Sequence, residues 1–155
     1  MQWKVPLAVV VSFTLVTANL RPARASGFDD KLIDEQSISA LQAKILLAQP
    51  HEQCFLYAQL VHEMTEFSVR QYANGDGEKA AGLLKQIQGL AHKMHLSMSE
   101  DDKRLKNAQI LLRHTAFRLN ELLHNSSLED RPLVAETLSQ INQAQDEAMM
   151  QVFRK

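Results

Sequence analysis

Beyond the first 25 residues, apolar residues recur at three- and four-residue spacing and no convincing alternating stretch appears. That is the signature of amphipathic helices rather than strands. The first predicted helix spans about Asp30 to Ala48, with Ile38, Leu41, Ile45 and Ala48 as its stripe, and Gln49-Pro50 ends it. The residue before a proline is pushed away from helical dihedrals. A second helix starts near Pro50, which suits a first turn, and runs to about Ala73. Cys54, Tyr57, Ala58, Val61, Met64, Thr65, Ser68 and Tyr72 share one face, widened by Leu56, Leu60 and Phe67. So wide an arc implies more than one neighbour.

Asn74-Gly75-Asp76-Gly77 supplies a stop, a turn and an N-cap in Asp76. The third helix covers roughly Glu78 to His95, with Ala80, Leu83, Leu84, Ile87, Leu90, Ala91 and Met94 inward. Gly82 and Gly89 fall on its opposite face, where they could admit a close partner or merely be tolerated. A fourth helix is expected to be capped by Ser99, with Glu100, Asp101 and Asp102 facing the positive end of its dipole. Its stripe is Leu105, Ala108, Leu111, Leu112, Thr115, Leu119, Leu122 and Leu123, and Asn125-Ser126-Ser127 ends it. Asp130 and Pro132 then open a fifth helix reaching about Phe153.

The connections are short, so sequential helices are expected to lie antiparallel. The fold class expected is all-α: an up-down four-helix bundle with an additional N-terminal helix laid across an outer groove. Ile110 and Phe117, seven apart on a separate face of the fourth helix, are the candidate partners for that extra helix. Their alternative use is a homodimer interface.

The N-terminal segment has a different character. Lys4 precedes a mostly apolar run from Val5 to Ala18, and Ala23-Arg24-Ala25 is a small-x-small site. This is the pattern of a secretory signal peptide cleaved between Ala25 and Ser26. The run is shorter than the roughly 18 residues of a spanning helix, although Arg21 and Arg24 weaken the charge asymmetry. The expectation is one helical domain from Ser26 to Lys155, exported to a bacterial periplasm or beyond, with no membrane attachment after cleavage. Loss of Lys4, Arg21 and Arg24 moves the formal charge from −1 to −4. A mildly acidic domain is not expected to bind nucleic acid.

Composition adds limits. One Cys among 155 residues excludes an intramolecular disulfide, and five Gly with four Pro exclude a collagenous or Pro/Gly-rich chain. Cys54 sits in the apolar stripe, as a small core residue would, with His51 three residues away. Nucleophilic catalysis would need a base and an orienting group converging on it.

The candidate chemistry is metal binding. His92, Met94, His95 and Met98 lie close in sequence, and imidazole with thioether suits copper, Cu(I) above all. Glu121 and His124 have the Glu-x-x-His spacing of di-iron bundles, but no second such pair exists. His62 and Glu66 are four apart, as half a metal site or a surface pair would be. Covalent haem is excluded, since no Cys-x-x-Cys-His occurs. Lys103-Arg104-Leu105-Lys106 is a basic cluster preceded by two Asp, as in a solvated helix face.

Three runs carry a resemblance: Gln53-Cys54-Phe55-Leu56-Tyr57-Ala58-Gln59-Leu60-Val61-His62, Asn74-Gly75-Asp76-Gly77-Glu78-Lys79-Ala80, and Lys103-Arg104-Leu105-Lys106-Asn107-Ala108. Through them most of the chain after Ala25 resembles small exported helical proteins of acidobacterial type. That resemblance implies a periplasmic address and brings no activity, cofactor or site residue with it. The expected function is therefore a non-enzymatic protein-interaction or envelope accessory role. Periplasmic copper binding is the alternative.

Overall fold

The computed structural model describes residues 33–98 and 104–154, which form five helices and no strand. These are α1 (Glu35–Leu47), α2 (Pro50–Ala73), α3 (Gly77–Ser97), α4 (Leu105–Asn125) and α5 (Arg131–Phe153). The all-α class expected from periodicity is the class observed. The segment containing Ala25 and Ser26, the expected Ser99 cap with its acids, and Lys103 lie outside the described residues.

α1 begins at Glu35 rather than near Asp30, because a capping box sets its start. Asp34 Oδ1 accepts from the Ser37 amide at 2.7 Å, and Ser37 Oγ accepts from the Asp34 amide at 3.1 Å. α2 opens with Pro50 in its first turn and closes on Asn74. Gly75, with φ of +83°, then turns the chain in a conformation that a side chain would strain. Asp76 caps α3 by accepting from the Lys79 amide at 3.1 Å. α4 starts later than its expected acidic cap: Leu105 is its first residue, Arg104 occupies the cap position without a side-chain capping bond, and no acid lies in its first turn. Asp130 holds the cap position of α5, but its carboxylate accepts from Ser127 Oγ at 2.8 Å instead of capping the helix.

Two helical hairpins make the body of the bundle. α2 packs on α3 and α4 on α5 through the short turns at 74–76 and 126–130. The hairpins then pair side by side, α2 on α4 and α3 on α5. His62 meets Thr115 and Glu66 meets Arg118, so α2 and α4 ascend together. Gln88 meets Thr137 and His95 meets Glu147, so α3 and α5 do the same. Both turns consequently lie at one end of the bundle, and α1, α3 and α5 finish at the other. Among the described residues α3 does not pack on α4, although the two run in opposite directions.

α1 is placed differently from the expectation. It packs on α2, not on α4. The Arg70 guanidinium donates to the Ile33 carbonyl, and Glu35 pairs with Lys79 of α3. Ile110 is left half-buried and Phe117 stays 61% exposed. The wide arc of α2 is used in full, since α1, α3 and α4 all press on it. Leu56, Leu60, Met64, Leu84, Ile87, Met94, Leu112, Leu119 and Ile141 are the largest side chains closed off from solvent.

Gly82 and Gly89 face open space, with no atom within 4 Å of where a Cβ would stand. Their helix therefore carries an entropic penalty that no packing requires. Gly82→Ala and Gly89→Ala are each expected to stabilise the protein by about 0.5–1 kcal/mol. Urea unfolding checks this, and destabilisation by either would mean that something approaches that face.

Candidate functional site

The polar side chains of the bundle collect along the two lateral seams between the hairpins. In the α2–α4 seam, Thr115 Oγ1 donates to the Leu111 carbonyl at 2.9 Å, so its lone pairs remain for a neighbour. His62 Nδ1 lies 3.2 Å from that oxygen and is the donor. This makes Nδ1–H the bonded nitrogen of the ring. Further along, Glu66 takes Arg118 in a two-pronged grip, Nε to Oε1 at 2.7 Å and Nη2 to Oε2 at 3.1 Å. Arg118 Nη1 also holds Glu121 at 2.5 Å. These charge-assisted bonds raise the Arg118 pKa despite partial burial.

The α3–α5 seam repeats the device. Thr137 Oγ1 donates to the Leu133 carbonyl at 2.8 Å and accepts from Gln88 Nε2 at 3.1 Å. His95 Nδ1 then meets Glu147 Oε2 at 2.5 Å. Beside this seam lies a cleft of about 520 Å³ lined by Gln88, His92, His95, Gln140, Gln143 and Glu147 among others.

The sequence-level metal cluster is divided by this geometry. His92 and His95 are exposed on the cleft, whereas Met94 is fully buried on the opposite side of α3. Met98 is half-buried against the core at the helix end. Met94 is thus a core residue, and its thioether does not join the two imidazoles. Among the described residues no group of three or more His, Cys, Asp or Glu could hold a metal ion. The other candidate ligands are also engaged elsewhere. Glu66 and Glu121 both hold Arg118, and His124 Nδ1 donates to the Asn120 carbonyl at 2.7 Å. Cys54 is fully buried, as its place in the stripe implied, and His51 is exposed.

A larger cleft, about 700 Å³, opens at the turn end of the α2–α4 seam. Val69, Tyr72 and Leu122 give it apolar walls, and Glu121, His124, Ser127 and Asp130 line it with polar atoms. Tyr72 Oη is closed off from solvent, next to the Asp130 carboxylate. Burial and the nearby Asp130 carboxylate push its pKa up. Sequence reasoning missed this site, because Tyr72 read only as part of the α2 stripe and Asp130 only as a cap.

Comparison of the chain with protein families, with curated proteins and with solved structures finds no match in any of the three. No helix among the described residues is long and apolar enough to cross a membrane.

Two outcomes test this assignment. Met94→Ala is expected to destabilise the protein by about 2–5 kcal/mol by leaving a core cavity, with or without metal present. Denaturant unfolding with and without copper measures it. The second concerns His62. Burial lowers its pKa most strongly, His114 and Arg118 of α4 add to this, and Glu66 and Glu63 oppose it. The unfolded chain then takes up the proton first as pH falls, so His62 stabilises the fold above about pH 6.5 and that share is lost on acidification. His62→Gln keeps a donor for Thr115 and removes the titration. The stability gap between wild type and variant is expected to shift against wild type between about pH 8 and pH 5.5. A gap independent of pH would refute the coupling.

Proposed function

We propose that the protein is an exported, non-enzymatic helical bundle that works by protein contact, as an interaction module or envelope accessory. Its architecture on this reading is an up-down four-helix bundle, α2 to α5, with α1 as an additional N-terminal helix. The supporting observation is the placement of exposed apolar side chains. Leu46, Leu47, Leu96, Met150 and Phe153 are 61–87% exposed, and all lie at the end opposite the hairpin turns. Met149 is exposed beside them. Single exposed apolar residues need no explanation, but several gathered at one end of a bundle mark a contact surface. Phe117 on α4 stands apart as a second, smaller patch with Ile110, suited to a homodimer.

A signal peptide ending at Ala25 fits this role, since a contact protein of the envelope must first be exported. The supporting polar chemistry is internal: Arg118 binds Glu66 and Glu121, and His95 binds Glu147. Those groups hold helices together instead of presenting an acid and a base to a substrate. Site-specific photo-crosslinking separates the surfaces. A photoreactive residue at Phe153 or Leu96, in protein taken from the periplasmic fraction, is expected to give a discrete protein adduct absent from an Arg113 control. An adduct to this same chain from Phe117 alone would transfer the contact to the dimer patch. No adduct from any of the three positions would overturn the reading.

A further inference from the structure

We propose that the cleft beside the α3–α5 seam binds a divalent, imidazole-seeking cation, Cu²⁺ ahead of Zn²⁺, through His92 and His95, with Glu147 orienting His95. The site does not rest on the apolar contact surface. It also differs from the Cu(I) cluster expected from sequence, because the Met94 thioether is closed in the core.

Glu147 fixes the tautomer of His95. A carboxylate only accepts hydrogen bonds, so His95 Nδ1, 2.5 Å from Glu147 Oε2, carries the proton. In the neutral ring Nε2 then keeps its lone pair, on a side chain about half exposed that lines the cleft. The other oxygen of Glu147 accepts from Gln143 Nε2 at 3.1 Å, so the carboxylate is itself held in place from one turn earlier on α5. Histidines that bind metals characteristically donate their second ring N–H to a carboxylate, which sets the ring orientation and raises its basicity. His95 has that arrangement.

His92 supplies the second nitrogen. It lies one turn earlier on α3, is exposed and lines the same cleft, and no hydrogen bond among the described residues engages its ring. Side chains three apart on a helix have Cβ atoms about 5–6 Å from one another, within reach of one ion. The small side chains of Ala91 and Ala144 leave a cleft of about 520 Å³ for the ion and its waters. Two protein nitrogens give the remaining coordination positions to water, in keeping with the lack of a three-residue group among the described residues. Gln143 spends its Nε2 on Glu147 and keeps its amide oxygen to accept from such a water. Among the described residues Glu147 pairs with no Lys or Arg, so its charge remains to favour a cation. Imidazole donors select Cu²⁺ and Zn²⁺ over Mg²⁺ and Ca²⁺, and Cu²⁺ heads the order of affinity.

The test is titration of the purified chain with copper(II) sulfate and with zinc sulfate against a chromophoric chelator, with electron paramagnetic resonance of the copper form. One copper per chain is expected, carrying the hyperfine signature of imidazole nitrogen, with zinc bound more weakly. His92→Gln and His95→Gln should each weaken copper at least about tenfold, and Glu147→Gln about tenfold with the imidazole signature kept. His124→Gln, which alters an exposed histidine elsewhere, should bind as wild type does. All four positions are at or near the surface, and circular dichroism checks that the helices persist. Absence of stoichiometric copper, an unchanged affinity in any of the first three variants, or an equal loss in His124→Gln would overturn the proposal.

Discussion

The lateral pairing of the two hairpins is the constraint on which the rest of the structure depends. An apolar stripe can slide along another by a helical turn at modest cost. A polar pair in the seam cannot, because a slip strands both partners. Thr115 and Thr137 occupy equivalent places in the two seams, each with its hydroxyl donated to the carbonyl four residues back. Each is thereby left as an acceptor only, and each is matched by one donor from the neighbouring hairpin, His62 or Gln88. A neutral bond of this kind contributes on the order of 1 kcal/mol net, whereas an unmatched buried polar group costs about 1–3. The seam bonds therefore choose the register more than they supply the stability, which comes from the apolar core.

Both ends of the molecule follow from that register. Because α2 ascends with α4 and α3 with α5, the turns at 74–76 and 126–130 come to one end. There the last turns of α2 and α4 bring Tyr72 beside Asp130, residues that no local pattern connects. The opposite end receives the ends of α1, α3 and α5, and with them Leu46, Leu47, Leu96 and Phe153. The cleft at one end and the exposed apolar side chains of α1, α3 and α5 at the other are consequences of one pairing rule. The Glu66–Arg118–Glu121 bridge stands in the seam, and its Arg118 and Glu121 line the cleft.

What was legible in the chain was local. The faces of α2 and α3 could be read from spacing alone, because a stripe such as Ala80, Leu83, Leu84, Ile87, Ala91 and Met94 has one way to be buried. The same spacing already separates Met94 from His92 and His95. Grouping them as ligands relied on closeness along the chain, which a helix turns into opposite directions. Boundaries set by turn chemistry were legible at Asn74-Gly75 and Pro50. They were misplaced at α1, where the reciprocal bonds of Asp34 and Ser37 decide the start, and at α4, whose first turn carries no acid. The pairing of hairpins was not legible. Thr115 fits an apolar stripe equally well whether α2 or α3 lies against it, and only His62 at the matching height resolves the choice.

The position of α1 shows how far such reasoning reaches. Ile38, Leu41 and Ile45 announced a helix needing one partner, and Ile110 with Phe117 offered a face needing cover. Matching the two by apolarity alone put α1 on the wrong helix. What decides the matter is polar and lies at one end: Arg70 reaches the Ile33 carbonyl, and Glu35 reaches Lys79. Arg70 and Lys79 also stack on the ring of Phe67, at 5.7 and 5.2 Å from its centre. One aromatic ring thus gathers the two cations that hold the start of α1 against the α2–α3 hairpin. The apolar stripe then has only to lie down along α2. Leu46 and Leu47 point away from that stripe and stay uncovered. In this chain hydrophobic periodicity says that a surface must be buried, and the few polar groups beside it say against what.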